Sequence, residues 1–366
     1  MDFTFSEEQL EIRELAAKLF AGRASTERVR AVERTDDRID RELWADLAST
    51  GLLGLALPES AGGAGLGLSE LCLVLEQQGR HVAPVPLWQS VVAALAVAEF
   101  GTDALRTELL PAVADGSLIL TVALEEFGVA TADRPSTTAA QDGSRWRLTG
   151  TKAAVAYAHL ADRVVVSAST PSGAALFLVD PRDASVTAER VDTTAHEPAA
   201  HLRLDGTPAE QLGGVSELPW LIQRVQVAVA AVQLGVADSA TVQGARYVSE
   251  REQFGRPLGT FQAVQHALAD CYLDVAAMQV TLWQAVWLLD SGQEPGTAVE
   301  VAAWWAADGG ARAVHRVQHL HGGIGVDVDY PIHRYLLWGK QLAGLLGGPA
   351  AQLQRLGDTI ATGPNA

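Results

Sequence analysis

From Leu218 to the C-terminus the chain carries helical patterns with only short breaks, and this stretch limits the possible folds most strongly. The apolar spacing predicts helices over about 218–252, 261–290, 296–319, 331–346 and 349–361. Some of these helices are apolar over wide faces, residues 302–307 being an example. Because helices of that kind are buried, we predict a helical bundle that also serves as the core of an oligomer.

The middle of the chain has a different pattern, which predicts strands. Short apolar or alternating runs are separated by Gly, Pro, Asp and Ser, as strands and turns are. The clearest runs read LILTVALEEF, RWRLTGTKAAVAYA, DRVVVSAS and GAALFLVD, and a weaker one covers residues 187–204. A small β domain is therefore expected at residues 119–215.

The N-terminal part returns to helical spacing. Ser6 and Gln9 have the spacing of a capping box, and apolar repeats continue from Leu43 to Leu47, from Leu68 to Gln78 and from Trp88 to Phe100. The predicted fold class is α+β in three parts. They are an N-terminal helical domain at 1–118, the β domain at 119–215 and a C-terminal helical domain at 216–366.

Composition narrows the classes of partner. The chain has 366 residues, of which 48% are apolar, so a large core and a globular protein are expected. A formal net charge of −17 argues against a nucleic-acid surface, which needs clustered Lys and Arg. The same charge argues against docking on anionic membranes.

The sequence predicts neither a cysteine-based site nor a targeting signal. Only Cys72 and Cys271 occur, both in apolar helical patterns, so neither a disulfide framework nor a CxxC metal site is predicted. The first residues are polar and acidic, unlike a signal peptide. The longest apolar run, residues 225–237, contains two glutamines and is too short to span a bilayer. We expect a cytoplasmic protein.

One stretch, YVSEREQFGRPLGTFQAVQH at Tyr247–His266, offers ligand-binding chemistry. Arg251 and Phe254 are three residues apart, and we predict that they share a face at a helix end. Gly255 and Pro257 then break the helix. A cation beside an aromatic ring, next to a tight turn, can hold a phosphate and pack against a flat ring system.

Three other motifs accompany this stretch: HLHGGIGVDVDYPIHRY at His319–Tyr335, LTGTKAAVAYAHLADRVVV at Leu148–Val166, and the segment Leu43–Arg80 followed by APVPL. In this order and spacing the chain resembles the acyl-CoA dehydrogenase family over nearly its whole length. The RxxFGxxxGxFQ and HGGxG motifs are the most specific parts. The resemblance implies FAD as cofactor and 2,3-dehydrogenation of an acyl-CoA thioester, with a glutamate removing the α-proton.

The resemblance also implies site residues. In the family each FAD lies between two subunits, and RxxFG and the glycine stretch reach over to the neighbour's cofactor. Arg251 matches the arginine that binds the pyrophosphate, and Phe254 matches the aromatic that packs on the cofactor. Gly322 and Gly323 allow the backbone to approach it closely. His319 stands where the family usually has glutamine, and histidine can still donate one hydrogen bond.

The residues that would hold a flavin within the same subunit depart from the family pattern. The TEPxAGSD motif falls on residues 124–131, which read LEEFGVAT. Leu124 replaces a threonine that hydrogen-bonds the flavin, and Ala130 replaces a serine that touches substrate or phosphate. Ala154 and Ala156 stand where tryptophan and threonine usually follow Lys152. A divergent but working site is the alternative interpretation.

The catalytic glutamate is missing from the positions where the family places it. Counting from the motifs puts these positions at Leu346, Val225 and Val232. No aliphatic side chain can accept a proton. Between Leu218 and Val248 the only carboxylate is Asp238, six residues beyond Val232 and on a different helix face. It is a poor candidate for a replacement base.

These departures predict a subunit that no longer runs the chemistry in its own pocket. Some actinobacterial family members that degrade steroid side chains are α2β2 heterotetramers, and the chain resembles their base-lacking subunit. The predicted partners are a homologous acyl-CoA dehydrogenase subunit, an acyl-CoA substrate and electron-transfer flavoprotein as acceptor. Two alternatives stay open: a self-sufficient homo-oligomer with a relocated base, and a non-enzymatic acyl-CoA-binding homologue. No metal site is predicted from His315, His319 and His321, because the family motif accounts for His321.

Overall fold

A computed structural model describes residues 4–128, 131–143 and 145–362, and its elements follow the predicted order of helices, strands and helices. The predicted capping box is confirmed: Gln9 N donates to Ser6 Oγ at 3.2 Å, and Ser6 N donates to Gln9 Oε1 at 3.0 Å. Two helices, α2 and α6, were not predicted. The N-terminal helices are α1 (Glu7–Arg23), α2 (Thr26–Glu33), α3 (Arg41–Ser49), α4 (Leu68–Arg80), α5 (Leu87–Phe100) and α6 (Asp103–Ala114).

The strands of the β domain form a closed ring. The strands are β1 (Leu120–Ala123), β2 (Thr138–Asp142), β3 (Arg145–Ala156), β4 (Arg163–Thr170), β5 (Gly173–Val179), β6 (Val186–Asp192) and β7 (Pro198–Leu212). Strand pairing runs β2–β3–β7–β5–β4 and returns to β2 through Thr138 and Ser169. Strand β1 adds parallel to β4, and β6 adds antiparallel to β7. We call this ring the barrel; alternate side chains such as Leu148, Val166 and Phe177 are buried in its core.

The C-terminal helices begin and end close to the predicted positions. They are α7 (Glu217–Glu250), α8 (Gln262–Asp290), α9 (Ala298–Trp304), α10 (Gly310–His321), α11 (Ile332–Gly344) and α12 (Gly348–Thr362). The one predicted helix over 296–319 is divided into α9 and α10 by a π-helical turn at Trp305–Gly309. Between α7 and α8 lies a short hairpin of β8 (Glu252–Gln253) and β9 (Arg256–Pro257).

The chain has two compact units. One contains the residues up to Val29, Cys72–Ala83 and everything from Gln226 onward; the other contains Arg30–Leu71 and Pro84–Val225. Helices α4 and α7 each contribute to both units, so the units do not coincide with the three domains drawn from sequence. Those domain boundaries stay a prediction.

Helices α4 and α7 cross at a glycine contact within the first unit. A Cβ at Gly79 would meet the Val232 carbonyl oxygen at 1.9 Å, and one at Gly235 would meet the Glu76 carbonyl oxygen at 2.0 Å. Only glycine allows the two backbones to approach this closely. Among the described helices, α7 alone has the length and apolar composition to cross a membrane, and 78% of its most apolar stretch is buried within the protein, as in a core helix.

Candidate functional site

The RxxFG motif forms a hairpin rather than a helix end. Arg251 follows the last residue of α7, and its backbone N–H still donates to the Tyr247 carbonyl at 2.8 Å. Phe254 and Gly255 then occupy the left-handed region, with φ of 55° and 78°, between the paired Gln253 and Arg256. Positive φ at both central residues is the geometry of a two-residue type I′ turn. The prediction that Arg251 and Phe254 share a helix face is therefore wrong, because the turn takes Phe254 off the helix.

We call residues 251–258 the arginine hairpin, and its tip is exposed. The Phe254 side chain is 92% exposed. Its ring meets that of Phe261 edge to face at 6.2 Å, and the Arg256 guanidinium stands 4.1 Å over the Phe261 ring. A non-glycine residue held at positive φ is strained, and such strain is concentrated at functional sites. The hairpin presents an aromatic ring with two neighbouring cations, Arg251 and Arg256, to whatever lies outside the chain.

We call Gly322–Val326 the glycine turn; it begins where α10 ends. Gly322 has φ 61° and ψ −139°, which side chains rarely allow. At Gly322 and Gly323, no atom of the described residues would lie within 4 Å of an added Cβ. Packing within the described chain therefore does not require glycine at Gly323. His319 is exposed in the last turn of α10. These positions suit a ligand or partner that approaches the backbone from outside.

An aromatic stack connects the arginine hairpin to the glycine turn. The rings of Tyr247 and His321 are stacked at 4.3 Å and 21°, and Tyr330 lies 5.5 Å from His321. The Tyr247 hydroxyl donates to the His321 carbonyl at 3.4 Å, and His321 Nδ1 pairs with the Val317 carbonyl at 2.8 Å. Burial lowers the pKa of His321, so its ring is neutral at pH 7. The stack joins the C-terminal ends of α7 and α10, and therefore the two motifs.

Replacing Tyr247 by alanine is expected to weaken FAD binding in the assembled enzyme by about two- to tenfold, because an aromatic contact of roughly 0.5–1.5 kcal/mol that fixes the spacing of the two motifs is lost. Tyr247→Phe keeps the stack and should retain most of the affinity. Titration of flavin-stripped enzyme with FAD measures both variants. Equal FAD affinities for wild type and Tyr247→Ala would contradict this positioning role.

The three family positions for the catalytic base are buried and aliphatic. Val225, Val232 and Leu346 are all at most 5% exposed. Leu346 lies at the bend between α11 and α12, with φ 55°. It lines a cavity of about 20 Å³ whose polar groups are the amides of Gln226, Gln233 and Gln352. That volume holds about one water molecule, and no lining residue is a carboxylate.

The Asp238 carboxylate already has an ion-pair partner. It forms an ion pair with Arg80, which also bonds Glu76 at 3.0 Å. Burial raises the pKa of Glu76, although Arg80 opposes that shift. Both carboxylates are paired with the same guanidinium, which does not favour Asp238 as a replacement base.

The residues that would contact a flavin on this subunit's own barrel provide few hydrogen bonds. Leu124 is buried and aliphatic. The ladder between β3 and β7 shifts register after Lys152, and Ala154 sits at φ 45° with its N–H donated to His201 Nδ1 at 3.0 Å. The Ala156 carbonyl accepts the Thr121 hydroxyl at 2.8 Å. Ala130 lies outside the described residues.

A buried ion pair, not predicted from the sequence, lies beside these residues. Lys152 Nζ donates to Glu126 Oε1 at 2.5 Å and to Ser167 Oγ at 3.0 Å. The Glu126 carboxylate also accepts from Ser136 N at 2.5 Å, from the Ser136 hydroxyl and from Thr137 N at 3.1 Å. Burial alone would raise its pKa, but the hydrogen bonds from Lys152, Ser136 and Thr137 lower the pKa of Glu126 to about 2. We call this group the barrel clamp.

FAD fits one set of residues better than the other. The exposed hairpin and glycine turn leave an arginine, an aromatic ring and unobstructed backbone available to a dinucleotide on a neighbouring subunit. The barrel residues 124, 154 and 156 have aliphatic side chains, and the Ala154 N–H is used within the chain. The exposed residues of the two motifs therefore fit a dinucleotide that approaches from outside the chain better than residues 124, 154 and 156 fit a flavin on the barrel.

Comparisons with known proteins give matches over nearly the whole chain. The family model of the acyl-CoA dehydrogenase N-terminal domain matches residues 6–117, and that of the C-terminal domain matches residues 218–359. The chain is 40% identical to acyl-CoA dehydrogenase FadE27 of Mycobacterium tuberculosis, with both proteins covered completely.

Two solved structures are similar over nearly the whole chain. One is a variant of the Tcur3481-Tcur3483 steroid ACAD, with TM-score 0.96, 58% identity and coverage of 98% of this chain and 99% of that chain. The other is the ChsE4-ChsE5 complex from Mycobacterium tuberculosis, with TM-score 0.94, 39% identity and complete coverage of both chains. The fold, the matched domains and a full-length relative at this identity establish that the chain belongs to the acyl-CoA dehydrogenase family, whose members are FAD-dependent oxidoreductases acting on the CH–CH bond of acyl-CoA thioesters.

Proposed function

We propose that this chain is the base-lacking subunit of a heterotetrameric acyl-CoA dehydrogenase, with two copies of it and two of a homologous subunit. The observation that carries the proposal is the contrast between two sets of residues. The three positions for the base are buried and aliphatic, whereas Arg251, Phe254, Gly322 and Gly323 are exposed. The chain retains the residues that would reach a neighbouring subunit and lacks a carboxylate at the positions that would act in its own pocket.

In this assembly the exposed residues of the two motifs each have a binding role. The Arg251 guanidinium binds the pyrophosphate of the partner's FAD, because its planar fork matches phosphate oxygens. Phe254 packs on the cofactor, the glycine turn lets the backbone approach it, and His319 donates one hydrogen bond. A carboxylate of the partner removes the substrate α-proton. FAD bound there would supply the acceptor for the hydride that leaves the β-carbon.

The substrate and acceptor are proposed by analogy with relatives. One similar structure is described as a steroid ACAD and another as a complex of two named proteins. We infer that the acyl group is attached to a steroid or a similarly bulky ring system. Electron-transfer flavoprotein is the proposed acceptor, and the cytoplasm is the proposed location.

Expressed alone, the chain is expected to be nearly colourless and to show no acyl-CoA-dependent reduction of an electron acceptor. Coexpressed with a homologous subunit that carries the glutamate, it should copurify with flavin and activity. The measurements are flavin absorbance per mole of chain, particle mass by size exclusion, and dye reduction. A yellow chain that turns over by itself would establish the self-sufficient homo-oligomer instead. A chain that never gains flavin with any such partner would indicate a non-enzymatic homologue.

A further inference from the structure

Among the described helices, α8 exposes the most large apolar side chains, and the proposed reaction uses none of them. Tyr272, Leu273 and Val280 are each more than half exposed, and Trp287 is 37% exposed. Together they present apolar surface on the order of several hundred Å². A contiguous apolar patch of that size marks an interaction site, so the outer face of α8 calls for an occupant.

Most of this surface lies on one narrow stripe. We call the residues Ala269, Leu273, Ala276, Val280 and Trp287 the α8 stripe. Their spacings are four, three, four and seven residues, so at 3.6 residues per turn they fall within an arc of about 60°. Alternating steps of three and four residues are the spacing of a seam along which two helices pack side by side. The stripe therefore has the geometry to take a second helix along its length.

The α8 stripe lacks the charges that a helix facing solvent usually carries. Helix α8 contains no lysine, arginine or glutamate. Its Asp274 is buried and bonded to Arg312 and Arg316 at 2.6 Å each, and Asp270, beside the stripe, faces Arg316 at 3.7 Å. The centres of protein interfaces are depleted of charged residues in the same way. The composition of this face is therefore that of a surface covered by another protein.

The side-chain sizes along the stripe match those of the same stripe running in the opposite direction. In an antiparallel pair, Leu273 of one copy lies opposite Ala276 of the other, and Val280 lies opposite Ala269. Two-fold symmetry repeats each contact. A parallel pair would instead set Leu273 against Leu273 and Ala276 against Ala276, which crowds one layer and leaves a gap in the next. The stripe is thus complementary to itself in the antiparallel arrangement.

We propose that α8 docks antiparallel against α8 of a second copy of this chain, about a two-fold axis that passes between Leu273 and Ala276. The chain has a formal net charge of −17, so two copies repel each other, and a stripe without acidic side chains is where they can meet. The arginine hairpin and the glycine turn lie outside the stripe and stay available to an unlike subunit. In the heterotetramer, and therefore resting on the proposed function, the two like subunits are neighbours across α8.

Chemical cross-linking identifies the neighbour of the stripe. The native Cys72 and Cys271 are buried, so a Leu273→Cys variant carries one accessible thiol. A bismaleimide linker that spans roughly 10 Å, the separation of packed helix axes, should join two copies of this chain through Cys at position 273. Leu15→Cys, at an exposed leucine of α1, is the matched control and should give no such dimer.

A charge placed in the stripe tests whether the contact holds the particle together. Val280→Asp sets a carboxylate in the apolar seam of both copies and is expected to raise the dissociation constant of the like pair by about a hundredfold or more. Because Val280 is exposed in the single chain, folding should be unaffected. Val215→Asp, at an exposed valine outside α8, should leave the constant unchanged.

Sedimentation velocity over a range of protein concentrations measures both variants. For the chain expressed alone, Val280→Asp should shift the particle from dimer to monomer. For the coexpressed form it should shift from four chains to two, with flavin per chain pair retained. A linker product with the homologous subunit instead of a second copy, no product above the Leu15→Cys control, or an unchanged particle in Val280→Asp would overturn the proposal. The chain expressed alone gives these results without flavin or partner, so a failure of the proposed function is read separately, from colour and activity after coexpression.

Discussion

Replacement of Lys152 by methionine is expected to lower the free energy of unfolding by about 3–5 kcal/mol, because it leaves a buried carboxylate without its counter-ion. Lys152 is fully buried and Glu126 nearly so. Methionine keeps most of the side-chain length, so the loss of the charge dominates over the loss of volume. Urea unfolding of the full chain measures the effect, provided that the slope with denaturant stays constant.

Two variants serve as controls for the barrel clamp. Lys18→Met removes an exposed lysine that pairs with Glu14 at 2.7 Å, and such surface pairs are worth about 0–1 kcal/mol. The double variant Lys152→Met with Glu126→Gln should be less destabilised than Lys152→Met alone, because no buried charge then remains. If Lys152→Met costs no more than Lys18→Met, the clamp does not stabilise the barrel.

The same pair makes stability depend on pH on the acid side. The folded pKa of Glu126, about 2, lies below its ordinary value of 4.5. Its stabilising effect is therefore present above about pH 4.5 and is lost as the pH falls from there towards 2. Glu126→Gln should show a smaller loss of stability across this range than the wild type.

Removing the Arg251 side chain should lower flavin occupancy of the proposed heterotetramer by at least about tenfold at limiting FAD. The charge-assisted hydrogen bonds to the pyrophosphate contribute on the order of 1.5–3 kcal/mol each, and each 1.4 kcal/mol changes affinity about tenfold. Since Arg251 is exposed, Arg251→Ala should leave folding and assembly intact. Flavin absorbance per tetramer and size-exclusion mass measure the two properties.

Arg251→Lys and Arg246→Ala sharpen this experiment. Lysine keeps the charge without the planar fork, so it should restore binding only in part. Arg246 is an exposed arginine on α7 that pairs with Glu250 at 3.1 Å, and its removal should not affect flavin. Unchanged flavin content in Arg251→Ala would mean that Arg251 is only a solvated surface residue, and the proposed function would fail with it.

The long helices could be predicted from the sequence because their apolar spacing persists over many turns. The predicted span 218–252 is α7 at Glu217–Glu250, and 261–290 is α8 at Gln262–Asp290. Strand β2 was not predicted, because its residues, TAAQD, are small or polar and show little alternation. Its place is set by pairing with β3, which a local pattern does not reveal.

The parts of the site that depend on distant pairing could not be predicted. Phe-Gly is not among the usual residue pairs of a type I′ turn, so the sequence predicts a helix end at Phe254 instead of a hairpin. Lys152 and Glu126 are 26 residues apart, and charged residues are rarely buried, so the sequence does not predict that they form a pair. Tyr247 and His321 lie in the quoted motifs, but only the packing of α7 and α10 reveals their stacking.

The arginine hairpin has a consequence for the rate at which FAD binds. Its backbone is closed at both ends, by Arg251 N to the Tyr247 carbonyl and by Leu258 N to the Arg251 carbonyl, each at 2.8 Å. A segment that is already ordered loses little conformational entropy when it meets a ligand. Flavin capture by the assembled enzyme would then proceed without a slow ordering step at this loop, and its rate would follow the encounter of preformed surfaces.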